Sequence, residues 1–240
     1  MNKLTLFVTS LLVSVSSFAQ WVKPAAPAVA TMEEGKECYL YNKGADGFLV
    51  GANDWGTRAS ISPTLGHKVY IEKGTDDGSY YIANDVLEGN MAGQRGYMFI
   101  DDWNGIWVDN TIDGKTNNQY TFEAQTGGTY KIGLSPKNEK FNPVDYPGAY
   151  LGIVPSMNDT RIYLCDPDNS AGFKMEDCHL VWYFVSPADY VTYSTAMKPY
   201  LAAVALGESI AEAEKISGVD AEALKAAKDA YANTSYVKYW

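Results

Sequence analysis

The 240-residue sequence holds only 2 His and 3 Cys, too few for the closely spaced ligand sets that hold zinc. Past the N-terminus it has no apolar run near the roughly 20 residues that span a bilayer. The most apolar later stretch, Tyr200 to Leu206, runs into Glu208. Positive charge is scarce as well: 19 Lys+Arg stand against 29 Asp+Glu, a formal charge of −10, with no basic cluster. The electrostatic footprint of a nucleic-acid or anionic-lipid binder is therefore missing. No cofactor, no nucleic-acid partner and no membrane insertion of the mature chain are expected.

Aromatic residues are plentiful, at 13%, and 18 Tyr and 6 Trp outnumber 8 Phe. Such rings combine a flat apolar face with a polar tip, which suits a binding surface as well as a β-sheet core.

The first residues have the pattern of a secretory signal. Lys3 supplies the positive end, Leu4 to Val15 an apolar run, and Ser17-Phe18-Ala19 a small-x-small cleavage pattern before Gln20. Residues 1–19 are read as a signal peptide, which places the mature protein in a secreted, periplasmic or cell-surface location. Residues 20–35, with Pro24 and Pro27 among alanines, read as a spacer. An oxidising compartment permits a disulfide. Cys165 and Cys178 flank the turn signal Asp166-Pro167-Asp168-Asn169 and are the candidate pair, with Cys38 left as a free, buried thiol.

From Cys38 to Val185, short aromatic and β-branched runs alternate with Gly, Asn and Asp, the spacing of an all-β fold. Three elements recur in one order. Tyr39-Leu40-Tyr41, Tyr80-Tyr81-Ile82 and Tyr130-Lys131-Ile132 open each unit. Phe48-Leu49-Val50-Gly51, Tyr97-Met98-Phe99-Ile100 and Tyr150-Leu151-Gly152-Ile153 follow, at steps of 49 and 53 residues. Lys68 to Glu72, Gln119 to Glu123 and Val181 to Val185 close them.

Three units of about fifty residues, each with about four strands, resemble a β-trefoil of the ricin B-type lectin class over residues 36–186. The Gln-x-Trp signature of that class is absent, Gln119-Tyr120-Thr121 being the nearest segment. The segment Asn53 to Ser60 resembles trefoil-type domains of secreted Bacteroidetes proteins. The resemblance implies a mainly β domain that binds carbohydrate. An ordinary β-sandwich is the alternative fold.

After Ser186 the periodicity becomes helical. Ser186-Pro187 is an N-cap followed by Pro at the first helical position, and Leu201, Val204, Ala205, Leu206, Ile210 and Ala213 form an apolar stripe. Gly218 ends that helix, and Asp220 caps a second with Leu224, Ala227 and Tyr231 on one face. Residues 187–240 read as a helical appendage or a shortened helical module.

Pyranose rings stack on Trp or Tyr, while Asp, Asn and Arg satisfy their hydroxyls. Asn53, Asp54, Trp55 and Arg58 gather these types in repeat one. Asp101, Asp102 and Trp103, with Trp107 behind them, do so in repeat two, and Asp159 in repeat three beside Asn158 and Arg161. Each set is expected to be a shallow pocket of its own, and Trp55 serves equally well as a core ring or a site ring. Asp166, Asp168, Ser170, Gly172 and Asp177 occupy calcium-loop positions 1, 3, 5, 7 and 12, but Ala171 replaces the needed glycine. A hairpin turn between the two cysteines is the competing reading.

His67 and His179 are read as packing or turn residues, and no catalytic residue is assigned. The expectation is a non-catalytic module that binds glycan. A protein-interaction or adhesin module bound to a surface protein, and an accessory domain of a glycan-degrading enzyme, are the alternatives.

Overall fold

The computed structural model describes residues 22–75, 77–101, 105–110, 119–136, 146, 148–168, 170 and 172–233. The signal segment 1–19, Asp102, Trp103, Asn169 and Ala171 lie outside the described residues. The chain divides into a β unit, Ala26–Val191, and a helical unit from Thr192 onward.

The β unit contains three successions of strands, four in each of the first two repeats and five in the third. Repeat one is β1 (Tyr39–Asn42), β2 (Gly47–Ala52), β3 (Arg58–Ser62) and β4 (Val69–Lys73). Repeat two is β5 (Tyr80–Asp85), β6 (Arg95–Ile100), β7 (Ile106–Asn110) and β8 (Gln119–Ala124). Repeat three is β9 (Tyr130–Leu134), β10 (Tyr150–Ile153) and β11 (Ile162–Asp166), then a two-residue β12 (Phe173–Lys174) and β13 (Trp182–Val185). Burial alternates along β4, where Val69 and Ile71 are buried and Tyr70 and Glu72 are partly exposed, whereas β1 and β13 are buried along their whole length.

The pairing itself is threefold. The last strand of each repeat runs antiparallel to the first of the next, with Ile71 opposite Ile82, Phe122 opposite Ile132, and Phe184 opposite Leu40. The first and last strands within each repeat also meet, at Cys38 and Val69, Tyr80 and Tyr120, and Tyr130 and Trp182. These six contacts close a six-stranded barrel. The middle strands form three hairpins, β2 with β3, β6 with β7 and β10 with β11. Barrel plus three hairpins is the β-trefoil. Leu40, Ile82 and Ile132 from the first strands, and Leu49, Met98 and Leu151 from the second, share one buried core.

Four expectations need correction. The pairing aligns Cys38-Tyr39-Leu40, not Tyr39-Leu40-Tyr41, with the opening elements of the other repeats, because Leu40 takes the inward place of Ile82 and Ile132. The spacer is shorter than residues 20–35: Pro27 accepts a hydrogen bond from the Tyr183 hydroxyl at 3.0 Å, and Ala30 N donates to Phe184 O at 2.7 Å. The segment after Asp166 does not return as a hairpin, since β12 runs parallel to β11. The helical stripe is kept only in part, since Leu206 and Ala213 are buried but Val204 and Ala205 are exposed.

Helix α1 (Pro187–Ala213) starts in the β unit, where the Ser186 hydroxyl accepts from Asp189 N at 3.1 Å. Within the β unit, the Tyr190 ring stacks on Tyr39 at 3.6 Å. Along α1 the buried positions are Tyr193, Ser194, Met197, Ala203, Leu206 and Ala213, so Leu206 and Ala213 of the expected stripe are buried while Val204 and Ala205 face out. Pro199 inside the helix has no N–H for the ladder, so one phase does not extend across it. Helix α2 (Ala221–Asn233) is capped by the Asp220 carboxylate, which accepts from Glu222 N and Ala223 N at 2.9 and 3.0 Å. In this unit Lys228 pairs with Glu214, and the Tyr231 ring lies against Gly207. No helix among the described residues is long and apolar enough to cross a membrane.

Candidate functional site

The three hairpins meet at their tips. Arg58 of β3 is paired with Trp107 of β7, and Ser60 of β3 is bridged to Arg161, just before β11. Val108 N donates to Thr57 O at 3.0 Å, and Ile61 N to Thr160 O at 2.8 Å. These contacts draw Asn53, Asp54, Trp55, Arg58, Asp101, Trp107, Asp159 and Arg161 together, though the sequence spreads them over three repeats. Candidate residues of all three repeats therefore lie side by side on one surface.

Trp55 sits on a tight turn, Asp54–Gly56, whose backbone is left-handed at Asn53 (φ 57°) and Trp55 (φ 52°). L-residues seldom adopt that conformation, and for a bulky ring it is a strained one. The turn is held by Gly56 N donating to Asn53 O at 2.8 Å, and by the Asn53 amide donating to Ser60 Oγ at 3.0 Å. The result is a tryptophan 82% exposed, which settles the choice between core and surface for this ring. Below it, Trp107 stacks at 5.6 Å with 28° between planes.

Trp107 is fixed in turn. Its Nε1–H donates to Asp101 Oδ2 at 2.7 Å, while Asp101 Oδ1 accepts from Gly105 N at 2.6 Å. The Arg58 guanidinium lies 5.1 Å from the Trp107 ring centre, and its buried Nε has no hydrogen-bond partner among the described residues. Burial lowers the affinity of Arg58 for its proton, and Asp101 opposes that effect.

Repeat three adds polar groups. Arg161 Nη2 reaches Asp54 Oδ2 at 3.6 Å. Asp159 accepts from Arg161 N at 3.0 Å and from the Tyr163 hydroxyl at 2.6 Å. Burial, helped by Asp159, pushes the Tyr163 phenol up to about 12. Tyr163 was missed in the sequence, although it stands four residues after Asp159. Among the described residues the surface thus brings the guanidinium groups of Arg58 and Arg161 beside the carboxylates of Asp54, Asp101 and Asp159, with the Trp55 ring open to solvent.

Other candidate positions have different uses. His67 is fully buried: its Nδ1 lies 2.7 Å from Asn84 Oδ1, and its Nε2 accepts from Gly51 N at 3.1 Å. Those bonds make it a packing residue with no nucleophile on its ring. His179 packs its ring against Gly44. Asp166 is buried and spends its carboxylate on Ser170, accepting from N at 3.0 Å and from Oγ at 2.7 Å. Among the described residues no group of three His, Cys, Asp or Glu side chains is placed to hold a metal ion.

A cavity of about 230 Å³ lies beside Glu123, Tyr146 and Tyr150. There the Tyr150 hydroxyl bonds Glu123, and the same pair recurs as Tyr97 to Glu72, 3.1 Å, in repeat two. It is a cross-strand feature of the repeat.

No family model and no curated protein matches the sequence. Solved structures align with part of the chain. Lysenin with phosphocholine aligns at 16% identity and TM-score 0.44, over 66% of this chain and 47% of that one. A glycoside hydrolase described as a GH43 beta-1,3-galactosidase aligns at 12% and 0.45, over 70% and 33%. The Macrolepiota procera ricin B-like lectin with lactose aligns at 9% and 0.44, over 66% and 100%. The aligned part thus spans about half of lysenin and a third of the hydrolase.

Proposed function

We propose that the protein is an exported, non-catalytic carbohydrate-binding module that uses the composite surface at the hairpin tips. The observation that carries this reading is Trp55. A large ring held open to solvent on a strained backbone, and backed by a second indole, has lost burial for no gain in the fold itself. A pyranose would stack on that ring. Arg58, Arg161, Asp54 and Asp159 would meet its hydroxyls as donors and acceptors. Export is supported by Lys3, the apolar run from Leu4 to Val15 and the small residues at Ser17 and Ala19.

A glycan array tests the proposal, using the wild-type chain beside Trp55→Ala. Binding by the wild type and its loss in the variant, with an unchanged melting temperature, is the expected result. A blank array together with capture of a surface protein that still needs Trp55 would replace the glycan with a protein partner.

A further inference from the structure

Two thiols of repeat three approach each other beside a glycine. On one side of β10, Gly152 is opposite Tyr163 and Tyr150 is opposite Cys165; on the other, Ile153 is bridged to His179. Gly152 therefore separates the two chain segments that carry Cys165 and Cys178. A Cβ at Gly152 would come within 3.0 Å of Cys165 Sγ and 3.2 Å of Cys178 Cβ, so the room a side chain would fill is where the cysteines converge. Both belong to a small apolar cluster with Val154 and Leu180.

The two thiols are unequal. Cys165 is buried, whereas Cys178 is partly open and donates to Lys174 O at 3.1 Å. Sharing of a hydrogen bond between the sulfurs raises the Cys165 thiol, with burial adding to the rise, and lowers Cys178. Cys38 does not compete. Its S–H donates to Val69 O at 3.4 Å, and burial pushes it up to about 12.

We propose that Cys165 and Cys178 are a redox pair that closes to a disulfide, with the more open Cys178 attacking and Cys165 resolving. The oxidant is a small-molecule disulfide such as oxidised glutathione. The Cys178 thiolate attacks one sulfur of that reagent, forming a mixed disulfide and expelling a thiolate, which takes the proton of Cys165. The Cys165 thiolate then attacks Cys178 Sγ and expels a second thiolate, which takes from water the proton that Cys178 gave up on ionising. One disulfide is reduced to two thiols, two cysteines become one disulfide, and both protons end on the released thiols. Closure would fasten the segment that leaves Asp166 and returns at Cys178, adding a covalent link to the two-residue parallel pairing of β12 with β11 and the Asp166–Ser170 hydrogen bonds. This inference stands independently of the glycan reading.

Full-length protein is reduced, freed of reductant, incubated with oxidised glutathione, quenched with acid, alkylated and examined by intact mass and peptide mapping. Before alkylation the wild type should be about 2 Da lighter, for two hydrogens lost; after alkylation its single label should sit on Cys38, with the Cys165 and Cys178 peptides joined. Cys165→Ser should accumulate the glutathione adduct on Cys178, and Cys178→Ser should react at least about tenfold more slowly at Cys165. A persistent adduct on wild-type Cys178, a bridge to Cys38, or no reaction in the wild type would overturn the proposal. The wild-type map decides even where a variant fails to fold.

Discussion

Trp55 of repeat one lies over Trp107 of repeat two, their ring centres 5.6 Å apart, because Arg58 and Trp107 are paired across two hairpins. The two rings differ in what supports them. Trp55 is 82% exposed, so Trp55→Ala should change stability by less than about 0.5 kcal/mol. Trp107→Ala strips Asp101 of a donor and should cost about 1–3 kcal/mol. Chemical denaturation of both variants checks the contrast, and equal losses would contradict it.

The left-handed backbone at Trp55, φ 52°, has a signature of its own. Glycine adopts that conformation without the Cβ penalty of about 1 kcal/mol, so Trp55→Gly should be more stable than Trp55→Ala by roughly that amount. Urea midpoints for the two variants would show it. An alanine variant at least as stable as the glycine one would contradict the turn geometry.

His67 should make the fold sensitive to acid. Its Nε2 accepts from Gly51 N and its Nδ1 donates to Asn84 Oδ1, which fixes the neutral ring. Burial holds its pKa below the ordinary value of 6.5, although the Asn84 bond, Asp85 and Glu88 pull the other way. The unfolded chain thus takes up the proton first on acidification. The contribution to stability is complete above pH 6.5, declines as pH falls below it, and is gone once pH has passed through the lowered folded value. Between about pH 7.5 and 5.5 the wild type should lose more stability than His67→Gln. Parallel slopes would exclude the effect.

Tyr120 is fully buried, and its hydroxyl has no hydrogen-bond partner among the described residues. Trp182, at the matching place in repeat three, donates to Leu151 O at 2.9 Å. Tyr120→Phe removes an unsatisfied group and keeps the ring, so stability should hold or rise, by up to about 1–3 kcal/mol. A clear loss on denaturation would reveal a partner for that hydroxyl.

Much of the fold was legible from repetition. The closing elements align as read, with Ile71, Phe122 and Phe184 each facing the first strand of the next repeat. Repeat one was placed one residue late, because Tyr39 and Tyr41 alternate equally well in either register and only the partner strand decides. At the site, the residue types in each loop were readable, but their meeting was not. It depends on Arg58 facing Trp107 and Ser60 facing Arg161, pairings distant in sequence that no local pattern encodes. Asn53-Asp54 and Gly56 around Trp55 are turn-forming residue types, while a left-handed tryptophan has no propensity to announce it.

The most direct test of the composite site is the stoichiometry of calorimetric titration with a glycan selected on the array. One ligand per β unit, abolished by Trp55→Ala and weakened at least about tenfold by Arg161→Ala, a loss of about 1.4 kcal/mol, is the predicted result. Two or three ligands per chain, with Trp55→Ala removing only one, would mean that the repeats bind separately and would contradict the account.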